Sequence, residues 1–491
     1  MTSIELNGRK VILTNVDEIT RGNILNVLSK AFTTHLKNVK EIRYLSDYYK
    51  GKQPILNRIK VNRPEICNKI VVNRAFEIVE FKKGYTFGEP IQYVQRGDCQ
   101  FDEKALNTGV SALNEYMMSE NKPTIDAQIA EHMHICGTAY KFLFPKKSEV
   151  DVDEAPFRLS ALNPENTFVI YKNDSYKTPI LGVKYVIKTD TNRKSNLELV
   201  AYTDTRCYRV ESPFNFCLFD EKSTIKESVN GIGAIPIIEY PLNESRLGCF
   251  EIVIGLLDAI NSTESNRMDG IEQFIQSFVK FTNCDIDSDS FRQLRSDGAI
   301  VIKGSPGLPA DAQIMESSLD QQQAQTSANN LYQSVLTITG VPDREASAGG
   351  NTGQALIIGQ GWASAEARAK ATEAIFKKSE RESLKVLLKI IKLTHKMPKE
   401  LADLHLSDID IKFTRNKTDN LLTKTQGLQN LVEVGVHPRI ALSTVGLFSD
   451  PEQVYDDSKE YLSKWLTTQS SEAPNNQVTP SNNKPVPEDT E

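Results

Sequence analysis

Residues 340–356 read GVPDREASAGGNTGQAL, and the reading of this stretch decides the fold. It joins two patterns of helical periodicity. Upstream, 319–339 is LDQQQAQTSANNLYQSVLTIT, with Leu331, Val335 and Ile338 on one side and almost only uncharged polar residues elsewhere. Downstream, a second pattern runs from about Gly353 to Lys396 and ends at Met397-Pro398, because proline cannot continue a helix. A phosphate-binding loop would need GxxxxGK followed by Ser or Thr, so that a lysine reaches the β and γ phosphates. Here Gln354 follows Gly353, the next lysine is Lys370, and no strand precedes the loop. The stretch therefore reads as a mobile loop projecting from a rigid wall. Gly349, Gly350 and Gly353 supply freedom; Ser347, Asn351 and Thr352 supply hydrogen bonding without fixed charge. Asp343, Arg344 and Glu345 nearly cancel in charge.

Working outward, residues 250–281 form the partner of the polar helix. Val253, Leu256, Leu257, Ile260, Arg267, Met268, Ile271, Phe274, Ile275 and Phe278 approximate a 3.6-residue stripe with a polar gap from Asn261 to Asn266. At about 1.5 Å per residue this predicts a rod of roughly 48 Å. Between the two rods lies a compact insert, 282–316: a short helix at DSDSFRQLRSDG, then strands at AIVIKG and AQIMES. The helix after the loop would span about 66 Å if straight, with a bend near Gly359 and Gly361. Its Glu366–Lys370 and Glu373–Lys377 spacings predict ion pairs along an exposed face.

The flanks read differently. Residues 20–50 predict a helix closed by Gly51, and a second helix starts near Pro64, carries Ile66, Ile70, Ile78 and Phe81, and closes at Gly84. YTFGEPIQYV turns into a strand, and two helices follow near 101–119 and 123–137. From 140 to 240 the chain reads as an antiparallel sheet domain: KFLFP, NTFVIY, LGVKYVIKT, LELVAYTD, RCYRVES, FCLFD and IPIIEYP. A strand, DIDIKFTRN, occupies 408–416; helices follow from 417 to 467, then a Pro- and Asn-rich tail predicted to be disordered. The fold class is α+β.

Bulk composition sets the limits. The chain has 491 residues, 25% charged and 39% apolar, which predicts several globular domains. A net charge of −6 disfavours a protein that coats DNA. The seven cysteines are widely spaced, with no CxxC, so neither a disulfide framework nor a zinc ribbon is predicted. The first residues, MTSIELNGRKVILTN, lack an apolar core of signal-peptide length. FEIVIGLLDAI, the most apolar stretch, contains Glu251 and Asp258, and no membrane helix is predicted.

Several constellations invite chemistry and are given structural readings. His132, His134 and Cys136 alternate at i, i+2, i+4, which on a helix points neighbours to opposite sides and precludes a shared metal. Asp285, Asp287 and Asp289 begin like a calcium loop but lack its glycine and its closing glutamate, so a solvated acidic turn is read. Residues 50–83 hold Lys50, Lys52, Arg58, Lys60, Arg63, Lys69, Arg74, Lys82 and Lys83, read as a subunit contact or solvated face ahead of a phosphate site. No catalytic triad or HExxH stands out, and no cofactor is predicted. Two long rods and a third, longer helix look too bare for one chain to cover, so oligomerisation into a ring is predicted.

This order of elements resembles the portal proteins of tailed bacteriophages, in the branch typified by the SPP1 phage portal. The cues are YYKGKQPI, NKIVVNRAFEIVEFKKGYTFGEPIQY, LLDAINSTESNRMDGIEQF, NTGQAL and NLLTKTQGLQNLVEVGVHPRIALSTVGLFSDPEQVYDDSKEYL, spread over roughly 40–465. The resemblance implies a portal-type architecture: a wing (1–249, with the long helix and strand of 353–416), a two-helix stem (250–281 and 317–340), a small α/β clip (282–316), a tunnel loop (341–352), a helical crown (417–467) and a tail (468–491). It implies a ring, typically dodecameric, at one capsid vertex of the virion, assembled in the host cytoplasm with major capsid and scaffolding proteins. The ring would pass double-stranded DNA during packaging and ejection, and dock the terminase large subunit and a head-tail adaptor or connector. It implies no enzyme activity and no membrane. On this mapping Asp343, Arg344, Ser347, Gly349, Gly350, Asn351 and Thr352 line the channel loop. Glu264, Asp269, Gln322, Gln325 and Asn329 line the stem wall, and Asp285, Asp287, Asp289, Arg292 and Arg295 meet terminase or adaptor. A conduit must let DNA slide, and a neutral polar lining avoids the counterion-release affinity of lysine and arginine rings. The alternatives are a cytoplasmic α/β enzyme with a glycine-rich substrate loop, or another phage head-completion or tail ring, which would lack the long helix after the loop.

Overall fold

The computed structural model describes residues 6–61, 63–96, 103–146, 154–189, 195–213, 219, 223–275, 278–282, 311–315, 321–343, 361–393, 401, 403–415, 421–445, 447–448, 454–459 and 461. The chain divides into two units, residues 1–96 with 100–415, and residues 97–99 with 416–491.

In the first unit, strand β1 (Ile12–Thr14) leads into helix α1 (Ile24–Tyr49). The α1 stripe of Ile24, Val27, Leu28, Ala31 and Phe32 repeats at three and four residues and is buried. Helix α2 (Arg74–Phe87) and strand β2 (Gln92–Gln95) follow, then helices α3 (Glu103–Ser119) and α4 (Lys122–Cys136). Strands β3 (Thr138–Pro145), β4 (Phe157–Leu162), β5 (Thr167–Lys172), β6 (Pro179–Thr189), β7 (Ser195–Tyr202), β8 (Arg206–Pro213), β9 (Thr224–Val229) and β10 (Ile237–Pro241) come next. They build two sheets where one was predicted: a six-stranded sheet in the order β1-β5-β6-β7-β8-β9 and a three-stranded sheet β10-β3-β4. Pairing is antiparallel except for β1, which lies parallel to β5. Along β7 the buried residues are Leu197, Leu199 and Ala201, the period-two pattern of a sheet with one covered face. Helix α1 supplies the cover: Phe32 meets Phe168 edge-on with ring centroids 5.3 Å apart.

Helix α5 (Ile254–Ile275) then runs to strand β11 (Phe278–Thr282), which pairs antiparallel with β12 (Asp311–Met315). The helix predicted to reach 281 therefore stops earlier: Phe278, the last apolar residue of the predicted stripe, opens a strand. AQIMES overlaps the strand that it predicted; AIVIKG lies outside the described residues. Helix α6 (Gln321–Thr339) returns from β12. Helix α7 (Trp362–Lys392) and strand β13 (Ile409–Lys412) complete the unit, with β13 antiparallel to β2. The second unit holds α8 (Leu421–Glu433) and α9 (Pro438–Val445), separated at Gly435, and a helical turn at 454–459.

Two predictions fail for clear reasons. Ile66 and Ile70 are not helical: 67–73 forms neither helix nor strand, and α2 begins only where the Asn73 side chain accepts the Phe76 amide. Gly84, the predicted terminator, sits inside α2. The long helix is also not bare, and residues 353–360 of its predicted span lie outside the described residues. Its described start is Trp362, after Gly361, whose φ of +84° breaks helical geometry where a bend was predicted. One face, from Phe376 through Leu384 and Leu387 to Ile391, is buried with Leu143, Phe157 and Tyr240 in the chain's own core. Glu366 does pair with Lys370, at 3.6 Å, but Glu373 turns inward to Arg415 instead of reaching Lys377. Glu380 is sealed in that core, accepting from Tyr93 Oη at 2.6 Å, Tyr240 Oη at 2.5 Å and Lys141 Nζ at 2.7 Å. Burial alone would raise its carboxyl, but Lys141 and Lys122 hold it well below the usual carboxylate range.

Candidate nucleic-acid interface

Helix α6 has no charged residue between Gln321 and Thr339. Leu331, Tyr332, Val335 and Leu336 pack with Val253, Ile254, Leu257 and Ile260 at the start of α5, so the two helices run antiparallel. The remaining face is exposed and includes Gln322, Gln325 and Asn329. Thr326, Ser334 and Thr337 turn their hydroxyls back onto Gln322, Asn330 and Gln333 carbonyls at 2.8, 3.0 and 2.9 Å. That leaves amides, with the Ser327 hydroxyl, as the groups this face offers. Gln325 donates to Asn329 at 2.9 Å, and Gln333 donates to Asp343 at 2.9 Å. A surface of neutral amides can hydrogen-bond weakly to a polyanion without releasing its counterions.

Residues 344–360 lie outside the described residues, and the residues on either side of them are anchored. Helix α6 ends at Gly340, φ +70°, whose amide and that of Val341 donate to the Leu336 carbonyl at 2.8 and 3.1 Å. Arg368 of α7 lies against Gly340 and donates to the Ile338 carbonyl at 2.5 Å, placing a cation at the negative end of α6. A Cβ built on Gly340 would lie 2.5 Å from Arg368 Cδ, so a side chain there would displace that arginine, while the positive φ itself favours glycine. At the other end, a Cβ on Gly361 would touch the Pro342 Cα at 3.9 Å, so the chain leaves and re-enters at one place. Val341 and Pro342, predicted as loop, are buried parts of this anchor.

The polar gap in α5 has a purpose that periodicity did not reveal. Asn261, Ser265 and Asp269 form a ladder at four-residue spacing, and the extended segment 68–72 lies along it. Val72 N donates to Asn261 Oδ1 at 2.8 Å, Ile70 N to Ser265 Oγ at 2.9 Å, and Asn68 N to Asp269 Oδ1 at 2.7 Å. Two extended residues advance about 6.6 Å and four helical residues about 6.0 Å, so the two periods stay in step over three rungs. This corrects the assignment of Asp269 to an exposed wall. Its residue is 4% exposed, and its carboxylate binds Arg58 at 2.9 Å and Lys60 at 3.0 Å. Burial would raise its pKa, but the Asn68 amide and these cations hold it below the ordinary value. Glu264 is half-buried and pairs with Arg267 at 2.8 Å.

The basic run 50–83 is largely neutralised: besides Arg58 and Lys60, Lys52 pairs with Asp47, Arg63 with Glu65, Arg74 with Glu77, and Lys83 with Glu80 and Glu131. His134 is buried and donates Nδ1–H to the Ala130 carbonyl at 2.7 Å, and no metal-binding cluster occurs among the described residues. Arg344, Ser347, Gly349, Gly350, Asn351 and Thr352 lie outside the described residues, as do Asp285, Asp287, Asp289, Arg292 and Arg295.

The sequence model of the family described as "Phage portal protein, SPP1 Gp6-like" matches residues 28–473. The chain belongs to this portal family. Its proteins are structural components of the phage capsid and not enzymes. The match takes in α5, α6, the anchor at Gly340 and Gly361, and α7. The "Portal protein" of Bacillus phage SPP1 is 24% identical over 292 residues, covering 57% of this chain and 54% of that protein. The similarity thus spans about half the length of that relative. No helix among the described residues is long and apolar enough to cross a membrane.

Proposed function

We propose that copies of this chain form a ring at one vertex of a phage capsid and conduct double-stranded DNA through its centre, in packaging and again in ejection. In this reading α5 and α6 form the stem, and the exposed amides Gln322, Gln325 and Asn329 face the passing duplex. The loop from Asp343 to Thr352 forms the constriction, with Arg344, Ser347, Gly349, Gly350, Asn351 and Thr352 as its contacts. Residues 282–316 form the clip, where Asp285, Asp287, Asp289, Arg292 and Arg295 meet terminase or the head-tail adaptor. The observation that carries the reading is the uncharged face of α6, after which the chain leaves at Pro342 and re-enters at Gly361 in one place. Such a face lets a duplex slide, whereas rows of lysine or arginine would bind its phosphates. Met268 and Ile271 on α5, 40% and 43% exposed, are apolar surface that neighbouring copies would cover. Membership of the portal family supports the ring and its capsid and packaging partners.

The test is packaging by particles that carry Arg344→Ala, or a loop shortened across 348–351. Both variants should change the yield or length of packaged DNA while rings with a central hole still form under negative stain. Unchanged yield and length in both would remove the loop from the conduit. Protein that stays a single subunit at every concentration, alone or with its capsid partners, would remove the ring itself.

A further inference from the structure

Helix α7 sorts its charges by side. Between Trp362 and Lys392 it holds six Lys and two Arg against four Glu, a net of +4 in a chain of net −6. Three of the glutamates recur every seven residues, Glu366, Glu373 and Glu380, and all three are consumed inward. Glu366 and Glu373 pair with Arg415, and Glu380 lies in the sealed network with Lys141, Tyr93 and Tyr240. A second seven-residue track, Lys378, Lys385 and Lys392, is exposed, with Arg381 and Lys389 exposed between its members. Residues 378 and 380 lie about 200° apart around a helix, so the two tracks occupy opposite sides. From Lys378 to Lys392 the outward row extends about 21 Å. Only Glu382 interrupts it, paired with Lys385 at 2.6 Å. Lys389 also donates to the Gly233 carbonyl at 2.9 Å. Lys378, Arg381 and Lys392 make no ion pair among the described residues.

We propose that this outward row of α7 docks the phosphate backbone of double-stranded DNA, as a contact surface separate from the channel residues. The inference rests on the reading of the chain as a DNA-handling ring. Charge complementarity identifies the occupant. From Lys378 to Lys392 the helix exposes no large apolar side chain; Leu393, just beyond it, is the first. A protein partner would find no apolar anchor there, and lysine is depleted from protein interfaces. A duplex needs none: it presents one negative charge per about 1.7 Å of axis, and a row of point cations neutralises it without reading sequence. The neutral α6 wall lets DNA pass, and the α7 row holds it.

The experiment measures binding of a labelled duplex of about 30 base pairs to the full-length protein as it assembles, across a salt series. The variant Lys378→Gln/Arg381→Gln/Lys385→Gln/Lys392→Gln is compared with Lys30→Gln/Lys37→Gln/Lys40→Gln/Lys50→Gln, which removes the same charge from exposed positions on and beside α1. The α7 variant should bind at least about tenfold more weakly at low salt, with the slope of log affinity against log salt reduced by up to about 3.6. The α1 variant should keep most of its affinity. Equal loss in both, or loss in neither, overturns the proposal. Reductive methylation of the parent protein gives an independent readout: duplex should protect Lys378, Lys385 and Lys392 and spare Lys30, Lys37 and Lys40. Absence of that protection overturns it, as does displacement of the duplex by polyglutamate at equal charge. Failure to form rings would fall on the conduit reading, because duplex binding by the row can be read on the single chain.

Discussion

Asp269→Ala separates a structural strap from a channel wall. The parent carboxylate accepts the Asn68 amide and side-chain amide and binds Arg58 and Lys60, while only 5% of its side chain is exposed. Removing one partner of a buried ion pair costs about 3–5 kcal/mol, because the other charge is left unpaired. The cations here are 19% and 29% exposed, so water can partly replace the lost carboxylate and the cost falls to roughly 2–3 kcal/mol. That cost lands on the local opening of 58–72 from α5. Each 1.4 kcal/mol or so is tenfold, so amide exchange at Asn68, Ile70 and Val72 should accelerate roughly 30- to 150-fold. Asp269→Asn keeps an acceptor for the Asn68 amide but leaves the same two cations without their carboxylate, and should accelerate exchange by less than Asp269→Ala but by more than about twofold. Peptide-resolved hydrogen exchange over 64–73 reads both. Exchange within twofold of the parent in Asp269→Ala would refute the ladder and return Asp269 to the wall.

Three further outcomes are expected. Gly340→Val should destabilise the α6 end by about 1–2 kcal/mol, because φ is +70° and the new Cβ meets Arg368; Gly340→Val with Arg368→Ala should recover only the steric part, and a thermal melt with exchange over 336–343 checks both. Glu380→Ala should lower the denaturation midpoint by an amount worth about 3–5 kcal/mol, since it strands Lys141 and the Tyr93 and Tyr240 hydroxyls in the core. Burial lowers His35 and His134 from 6.5 to about 4, so the unfolded chain takes up protons that the native chain refuses as pH falls through this interval. Native stability is then lost between about pH 6.5 and 4, by about 2 kcal/mol per imidazole at pH 5, and His134→Gln should flatten a urea-midpoint titration over that range.

Local chemistry wrote much of this protein into its sequence. Six of the strands between 138 and 241, the α1 stripe and the two antiparallel helices around the 282–316 insert were legible, because period and turn residues act over a few neighbours; β4 and β9 were not read as strands, and FCLFD lies almost wholly outside the described residues. So was the neutral α6 face, which is a matter of composition. The tertiary structure decided what long-range pairing decides. Period-based reading sees Ile66 and Ile70 as a helix because nothing local shows that the Ile70 amide finds its partner on a helix 195 residues later, or that the Ile66 amide closes a turn onto the Arg63 carbonyl. For the same reason the gap from Asn261 to Asn266 looked like a break in a stripe. In the fold, Asn261 and Ser265 join Asp269 as three rungs that accept alternate backbone amides of 68–72. The long helix looked bare because its heptad glutamates resemble a solvated face. Burial of Glu380 among Tyr93, Lys141 and Tyr240 depends on strands from distant parts of the chain, and only their meeting shows which side of α7 is inside.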